Sequence, residues 1–391
     1  MQLLKNSTTL NSSSPASARF SVSVFFFISG FNFAAWAARI PSMQKQLHLN
    51  QAELGTVLAA LPAGLMVTMP LAGMLLNKIS SRYVMLFSSI AYTCLLCFLG
   101  IASNLWEAML ILFLFGASRN FFNISVNTQS LGVQELYSKS ILTTFHGIWS
   151  LAALTGAALS FLLISFSVSV LNHFTIVACI SLLLIALVFK NTLHKDERNL
   201  TEGKRPVFTW PDKALIKLGI IGFASMVCEG TMSDWSGIYF SKVVLVSDKL
   251  ITLGYVVYLT SMVVGRFTGD WMVNRIGVKK LLKVSSGSIV TGFLIAITMP
   301  YMASALFGFL LIGFGVSCIM PLVFSITPKV SQLSTGNAIT AISTVSFLGF
   351  LSGPPIIGYI AHVTNLKWSF VLAMLLAAGI NFIISRMKFS D

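Results

Sequence analysis

Acidic residues are scarce in this chain: 12 Asp and Glu stand against 26 Lys and Arg, and charged residues of both signs make up only 10% of the 391. A soluble domain carries roughly 25%, so an ordinary water-facing surface is excluded. Hydrophobic residues account for 55%, and the mean hydropathy is +0.84. One soluble core could not hide that much apolar surface, so the solvent must be lipid. In a soluble protein a net charge of +14 would point to nucleic acid. Here the basic residues fall between apolar runs, where they set topology, and no nucleic-acid partner is expected.

Catalytic signals are missing too. The sequence holds no H-E-x-x-H, Walker A or G-x-S-x-G pattern and no metal-spaced cluster. An enzyme, an ATP-driven pump, a cofactor and a metal are therefore not expected. The five cysteines, Cys94, Cys97, Cys179, Cys228 and Cys318, all lie inside apolar runs, and the C-x-x-C spacing of the first two reads as small packing residues. The polar start, Met1 to Ala18, has no separate cleavable apolar region, so the first long run is expected to stay as helix 1.

What is present is a series of apolar runs, each near the ~20 residues that span a bilayer. They fall at 20–40, 52–76, 83–103, 106–128, 141–165, 170–190, 214–240, 250–273, 281–301, 303–327, 337–362 and 367–386. The prediction is an all-α membrane protein of twelve transmembrane helices in two pseudo-symmetric six-helix bundles. The bundles are residues 1–190 and 213–391, joined by a cytoplasmic linker at 191–212 that carries Lys195, Asp196, Glu197, Arg198, Lys204 and Arg205. Basic residues concentrate on the terminal side of the helices, with only Lys45, Lys242, Lys249 and Lys367 in the opposite loops. That asymmetry places both termini in the cytoplasm and the chain in the inner membrane.

The halves repeat. GMLLNKISSR (73–82) follows helix 2 and DWMVNRIGVK (270–279) follows helix 8; Lys78 and Arg275 stand 197 positions apart, as do Gly116 and Gly313, and Gly156 and Gly353. Two parallel six-helix halves imply a central site between them. These loop segments resemble the major facilitator superfamily signature, roughly G-x-L-x-D-R-x-G-x-R/K, with Asn77 and Asn274 at the Asp positions and Ser80 at a Gly position. The resemblance implies alternating access, with Lys78, Arg82, Arg266, Asp270 and Arg275 controlling the rocking of the halves. Ordinary positive-inside topology is the plainer account of the basic ones.

CEGTMSDWS (228–236) in helix 7, WAARIP (36–41) and NISVNTQ (123–129) resemble the fucose-permease-related branch, whose better-known members take up sugars with protons. Asn123 stands where that branch would have an acidic residue.

Charged side chains inside spans usually face a bundle interior or a water-filled cavity. Glu229 and Asp234 are the candidate proton-coupling carboxylates, with His146 as a possible relay, against structural roles for each. Arg39 reads either as a snorkelling residue or as a gate paired with an acid of helix 7 such as Asp234. Arg119, too deep to snorkel, should meet a carboxylate or a substrate anion. Asn32, Asn120, Asn123 and Asn127 offer amides to a hydroxyl-rich ligand or to neighbouring helices, and the last three share one face. Trp36, Trp149 and Trp235 can stack on a sugar ring, pack a gate or anchor at the interface. His48, His173, His194 and His362 fall in loops or at ends and carry no signal.

The reading is a proton-coupled secondary transporter for a small polar solute, a sugar or related metabolite. An efflux antiporter for amphipathic compounds is the rival, and a membrane sensor a third possibility.

Overall fold

The computed structural model describes residues 14–139, 141–194, 213–330 and 335–387, and the expected linker beyond His194 lies outside them. Among the described residues there is no strand, and twelve helices are long and apolar enough to cross a bilayer. They are α1 (Pro15–Gln46), α2 (Gln51–Leu76), α3 (Ser81–Ile101), α4 (Leu105–Glu135), α5 (Leu142–Ser165) and α6 (Val170–Val188), then α7 (Lys213–Tyr239), α8 (Leu253–Ile276), α9 (Val278–Thr298), α10 (Met302–Val330), α11 (Thr335–Val363) and α12 (Leu366–Arg386).

Hydropathy marks only the lipid-immersed part of each helix. α1 and α4 extend past the expected 20–40 and 106–128 because Lys, Gln and Glu in the flanking turns are good helix formers. Polar side-chain caps set the starts of α1, α2, α4, α6 and α12. Asn50 and Glu53 form a reciprocal capping box on α2, with both bonds at 2.9 Å. Asn104 caps α4 through its side-chain oxygen, which accepts from the Glu107 N–H at 3.0 Å, while the Glu107 carboxylate accepts from the Ser103 N–H and hydroxyl. The α8–α9 junction turns on Gly277, whose φ of 76° is left-handed and open to glycine without strain. Large apolar side chains such as Phe87, Leu183, Leu375 and Phe382 are exposed, as a lipid-facing surface requires.

Each half is built by the same packing order. In the first, α1 lies against α5 and α6, α2 against α4, and α3 against α4 and α6; in the second, α7 lies against α11 and α12, α8 against α10, and α9 against α10 and α12. The repeat extends to single contacts. Gly116 of α4 packs on the backbone carbonyl of Leu61 in α2, and Gly313 of α10 packs on that of Tyr258 in α8. Both partners shift by 197 positions, from 61 to 258 and from 116 to 313. A side chain on either glycine would collide with that carbonyl oxygen, which is why these helices cross at glycine.

The bundles meet most closely at the end away from the termini. There Gly237 of α7 faces the ring of Pro41 in α1, Gly55 of α2 packs on Pro354 and Gly358 of α11, and Lys45 pairs with Asp248 at 2.5 Å. Deeper in the seam, Arg266 of α8 donates to Ser150 of α5 at 2.6 Å. Among the described residues, no hydrogen bond or ion pair joins the bundles nearer the termini than this one.

Candidate functional site

A layer of polar and aromatic side chains from α1, α4, α5, α7 and α8 lines the seam at mid-depth. Ser29 of α1 organises its first-bundle wall, donating to Asn123 Oδ1 at 3.2 Å and accepting from Trp149 Nε1 at 3.3 Å. The Trp149 ring lies 6.3 Å from Phe33, and Phe33 carries the Arg119 guanidinium 4.0 Å over its ring centroid. Among the described residues that cation–π contact is the close partner of the guanidinium: Arg119 Nε has no hydrogen bond there and no ion pair joins Arg119 to a carboxylate. Arg266 reaches the layer from the other bundle, 6.0 Å over Trp149 while bonded to Ser150.

Glu229 and Asp234 of α7 supply the opposing wall. Glu229 lies within electrostatic reach of Arg266 and Arg119, and Asp234 within reach of Arg119. Among the described residues, none donates a hydrogen bond to either carboxylate and none forms an ion pair with it. Tyr255 and Tyr258 of α8 stand beside them, and the Tyr258 hydroxyl is buried without a partner among the described residues. Among the described residues, two carboxylates and the Arg119 guanidinium thus share this layer without an ion pair, where a charge is costly unless something meets it, while Arg266 is held by Ser150.

Several expected residues are placed elsewhere. Asn32 is fully buried inside the first bundle, donating to Thr93 at 2.9 Å and accepting from Ser181 at 2.8 Å, so it ties α1 to α3 and α6 and does not face the seam. The amide stripe of α4 is divided. Asn120 is buried and donates to Thr68 of α2, Asn127 bonds the Asn123 carbonyl, and Asn123 alone reaches α1 through its side chain. Trp36 packs near Phe115 in the core of the first bundle. Trp235 is fully buried, and its indole N–H has no partner among the described residues. His146 is exposed, with its ring edge-on to Phe26 at 5.4 Å.

Arg39, read either as a snorkelling residue or as a gate paired with an acid such as Asp234, does neither here. α1 turns Arg39 toward α6 and the α5–α6 turn: Nε donates to His173 Nδ1 at 2.7 Å and one terminal nitrogen to the Val168 carbonyl at 2.6 Å. His173, set aside on sequence as a helix-end residue, is therefore the buried partner. A guanidinium can only donate, so Nδ1 is unprotonated and the ring proton sits on Nε2, facing Ser160 Oγ at 3.2 Å. His173→Leu should lower the unfolding free energy by about 2 kcal/mol, the scale of a hydrogen bond to a charged group. Thermal unfolding in detergent checks this. The loss in the Arg39→Leu/His173→Leu double variant should be smaller than the sum of the singles, and simple additivity would refute the coupling.

Two of the signature-loop cations act on helix ends. Arg82 donates to the Phe189 carbonyl at the C-terminus of α6 and lies 4.5 Å over the Phe189 ring; 197 positions on, Lys279 donates to the Met387 carbonyl at the C-terminus of α12 at 2.9 Å. Each places positive charge on the negative end of the last helix of its bundle. Lys78, Asp270 and Arg275 are exposed, Arg275 lying 5.3 Å over Trp271.

The profile of the Major Facilitator Superfamily matches residues 22–347. The chain belongs to that superfamily. An uncharacterised MFS-type transporter of Yersinia pestis is 31% identical over 92% of this chain and 93% of its own length, and the membrane protein MosC of Rhizobium meliloti is 31% identical over 91% and 86%. Among solved structures, the nucleoside transporter NupG superposes with a TM-score of 0.75 at 15% identity, covering 95% of this chain and all of that one. A bacterial homologue of the human lysosomal transporter Spinster gives 0.74 at 13%, covering 94% and 96%. This facilitator is thus a multi-pass integral membrane transporter, and the unpaired charges at mid-depth lie between its two bundles.

Phe33, Ser29, Ser150, Tyr255 and Tyr258 were not singled out on sequence. They sit in ordinary apolar runs, and only the packing of five helices brings them to the seam.

Proposed function

We propose that this facilitator moves a small polar organic solute, a sugar or related metabolite, by alternating access coupled to protons. The observation that carries the reading is the pair Glu229 and Asp234. Both lack a hydrogen-bond or ion-pair partner among the described residues, and both lie within reach of Arg119 across the seam. A carboxylate in such a place can hold a proton in one state and meet a cation or a ligand hydroxyl in the other. Glu229 is assigned the proton, Asp234 and Arg119 the solute, and Asn123 and Trp149 the polar and aromatic wall around it. His146, exposed toward the terminal end, is assigned the proton's path to solvent. The α7 run CEGTMSDWS supports placement in the fucose-permease-related branch.

With residues 1–190 and 213–391 as the moving bodies and both termini cytoplasmic, the joined end is the outer one and the structure is the inward-facing state. The Arg266–Ser150 bond crosses the seam and must rearrange as the bundles rock, whereas Arg82 and Lys279 brace each bundle internally. Lys78, Asp270 and Arg275, exposed in or beside the signature loops, are assigned to the closing of the inner end.

The test is proton movement driven by solute in proteoliposomes across a panel of sugars and related metabolites. At least one solute should move protons in the intact protein, and Glu229→Gln should retain solute exchange while losing its pH dependence. Uptake by Glu229→Gln with unchanged pH dependence overturns the proton assignment. Protection of cells from toxic amphipathic compounds, with no metabolite taken up, overturns the uptake reading in favour of efflux.

A further inference from the structure

At the end of the molecule that carries the termini, a cleft of about 320 Å³ opens where α8 turns into α9. Lys279, Lys280 and Lys283 line it together with the apolar side chains of Ile276 and Val278, and no lining residue is acidic. Lys283 stands four positions after Lys279 and three after Lys280, which puts the three ammonium groups on one side of α9.

This arrangement works against the helix. Like charges at those spacings repel, and cations in a first turn oppose the peptide dipoles; α9 has no acid in that turn to offset them. Lys279 is bonded to the Met387 carbonyl at 2.9 Å. Among the described residues, Lys280 and Lys283 form no ion pair. Topology does not call for them either. The brace repeats between the halves as Arg82 and Lys279, but 197 positions before Lys280 and Lys283 stand Tyr83 and Leu86. The first bundle makes the equivalent turn without these two charges.

The place of the cleft names the partner. Lys280 heads the face of α9 that continues through Val284, Thr291 and Leu294, all of them exposed. Exposed Val and Leu on this face meet acyl chains, so Lys280 lies where the lipid-facing stripe reaches the headgroups. Trp271, exposed near the same end of α8 with Arg275 over its ring, is an aromatic anchor of the kind found at that level.

We propose that this cleft holds the phosphate of an anionic phospholipid, with Lys280 and Lys283 on the headgroup oxygens and Ile276 and Val278 offering apolar surface to the rest of the lipid. Each ammonium is a mobile point charge with three donors, suited to phosphate oxygens that arrive without a fixed geometry. The lipid supplies the negative charge that this end of α9 lacks. It ties the second bundle's signature loop to the headgroups, a tether the first bundle does not have.

The experiment uses the full chain in neutral detergent micelles, with phosphatidylglycerol added at increasing mole fraction and phosphatidylcholine as the comparison without net charge. The melting temperature should rise saturably with phosphatidylglycerol alone. Lys280→Gln/Lys283→Gln should raise the half-saturating mole fraction about tenfold or more. Neither side chain is buried, so this variant should fold, and without lipid it should melt no lower than the parent because the repulsion is gone. Lys242→Gln/Lys249→Gln, which removes two exposed lysines at the opposite end, should leave the titration unchanged. Phosphatidylglycerol should also slow amide exchange across residues 276–283. An equal rise with phosphatidylcholine, or equal weakening by the two lysine pairs, would reduce the effect to bulk lipid or net charge and overturn the site. A rise without protection of 276–283 would place the lipid elsewhere and overturn it too. A matching rise with inorganic phosphate at constant ionic strength would show that a free anion suffices and overturn the lipid assignment.

Discussion

Gly116→Val should leave no folded transporter to purify. A Cβ at that position would stand on the Leu61 carbonyl oxygen, with the Leu61 carbonyl carbon and Cα next to it. Overpacking in a core costs ~1–3 kcal/mol when flexible side chains can rotate away. Here the obstacle is backbone on both sides, so α2 and α4 must separate along their length. The same contact holds α8 to α10, so Gly313→Val should fail equally. Gly379→Ala is the control: nothing lies within 4 Å of a Cβ there, and alanine favours the helix by roughly 1 kcal/mol. Fluorescence-detected size exclusion reads the outcome. A monodisperse Gly116→Val protein with the parent melting temperature would show that the α2–α4 crossing does not depend on glycine.

Arg119→Leu should have the opposite signature: a protein at least as stable as the parent, with solute transport about 10- to 100-fold slower, the factor set by losing a hydrogen bond from a charged donor. Among the described residues this guanidinium has a ring beneath it, an unpartnered Nε and no ion pair. A half-buried charge without an ion-pair partner is a cost to folding, so an apolar side chain should relieve that cost and, under the proposed solute role of Arg119, slow transport. The two readouts are melting temperature and uptake per folded molecule in proteoliposomes. If melting falls while uptake per molecule is unchanged, Arg119 is a scaffold residue and the assignment of the mid-depth layer fails. Arg39 provides the contrast, because its charge is hydrogen-bonded on two sides inside one bundle; Arg39→Leu should lower stability.

The two arginines also show how far sequence reasoning reached. Both stood out as charges in apolar helices, and the half-chain offset set Arg39 at the depth of Asp234. Depth along a helix follows from counting at ~1.5 Å per residue. Direction around it does not, because α1 is apolar on nearly every face and has no polar stripe to orient it. The packing of α1 against α5 and α6 turned Arg39 to His173. The same holds for Asn32 and Asn120, whose amide character was evident but whose neighbours, Thr93, Ser181 and Thr68, come from helices 52 to 149 positions away.

The sequence by itself determined the solvent, the helix count and the internal repeat. Each of these depends on composition or on periodicity along the chain, and lipid leaves a backbone few alternatives to a helix. The signature loops were legible for the same reason: their charges lie at helix ends, where the peptide dipoles set which sign is favourable. Which buried charges are paired and which are left waiting was decided only by tertiary structure. That depends on helix rotation and on partners from other helices, so Glu229, Asp234 and Arg119 came into one layer without an ion pair among the described residues, and Arg39 became bonded to His173, only when twelve helices were packed together.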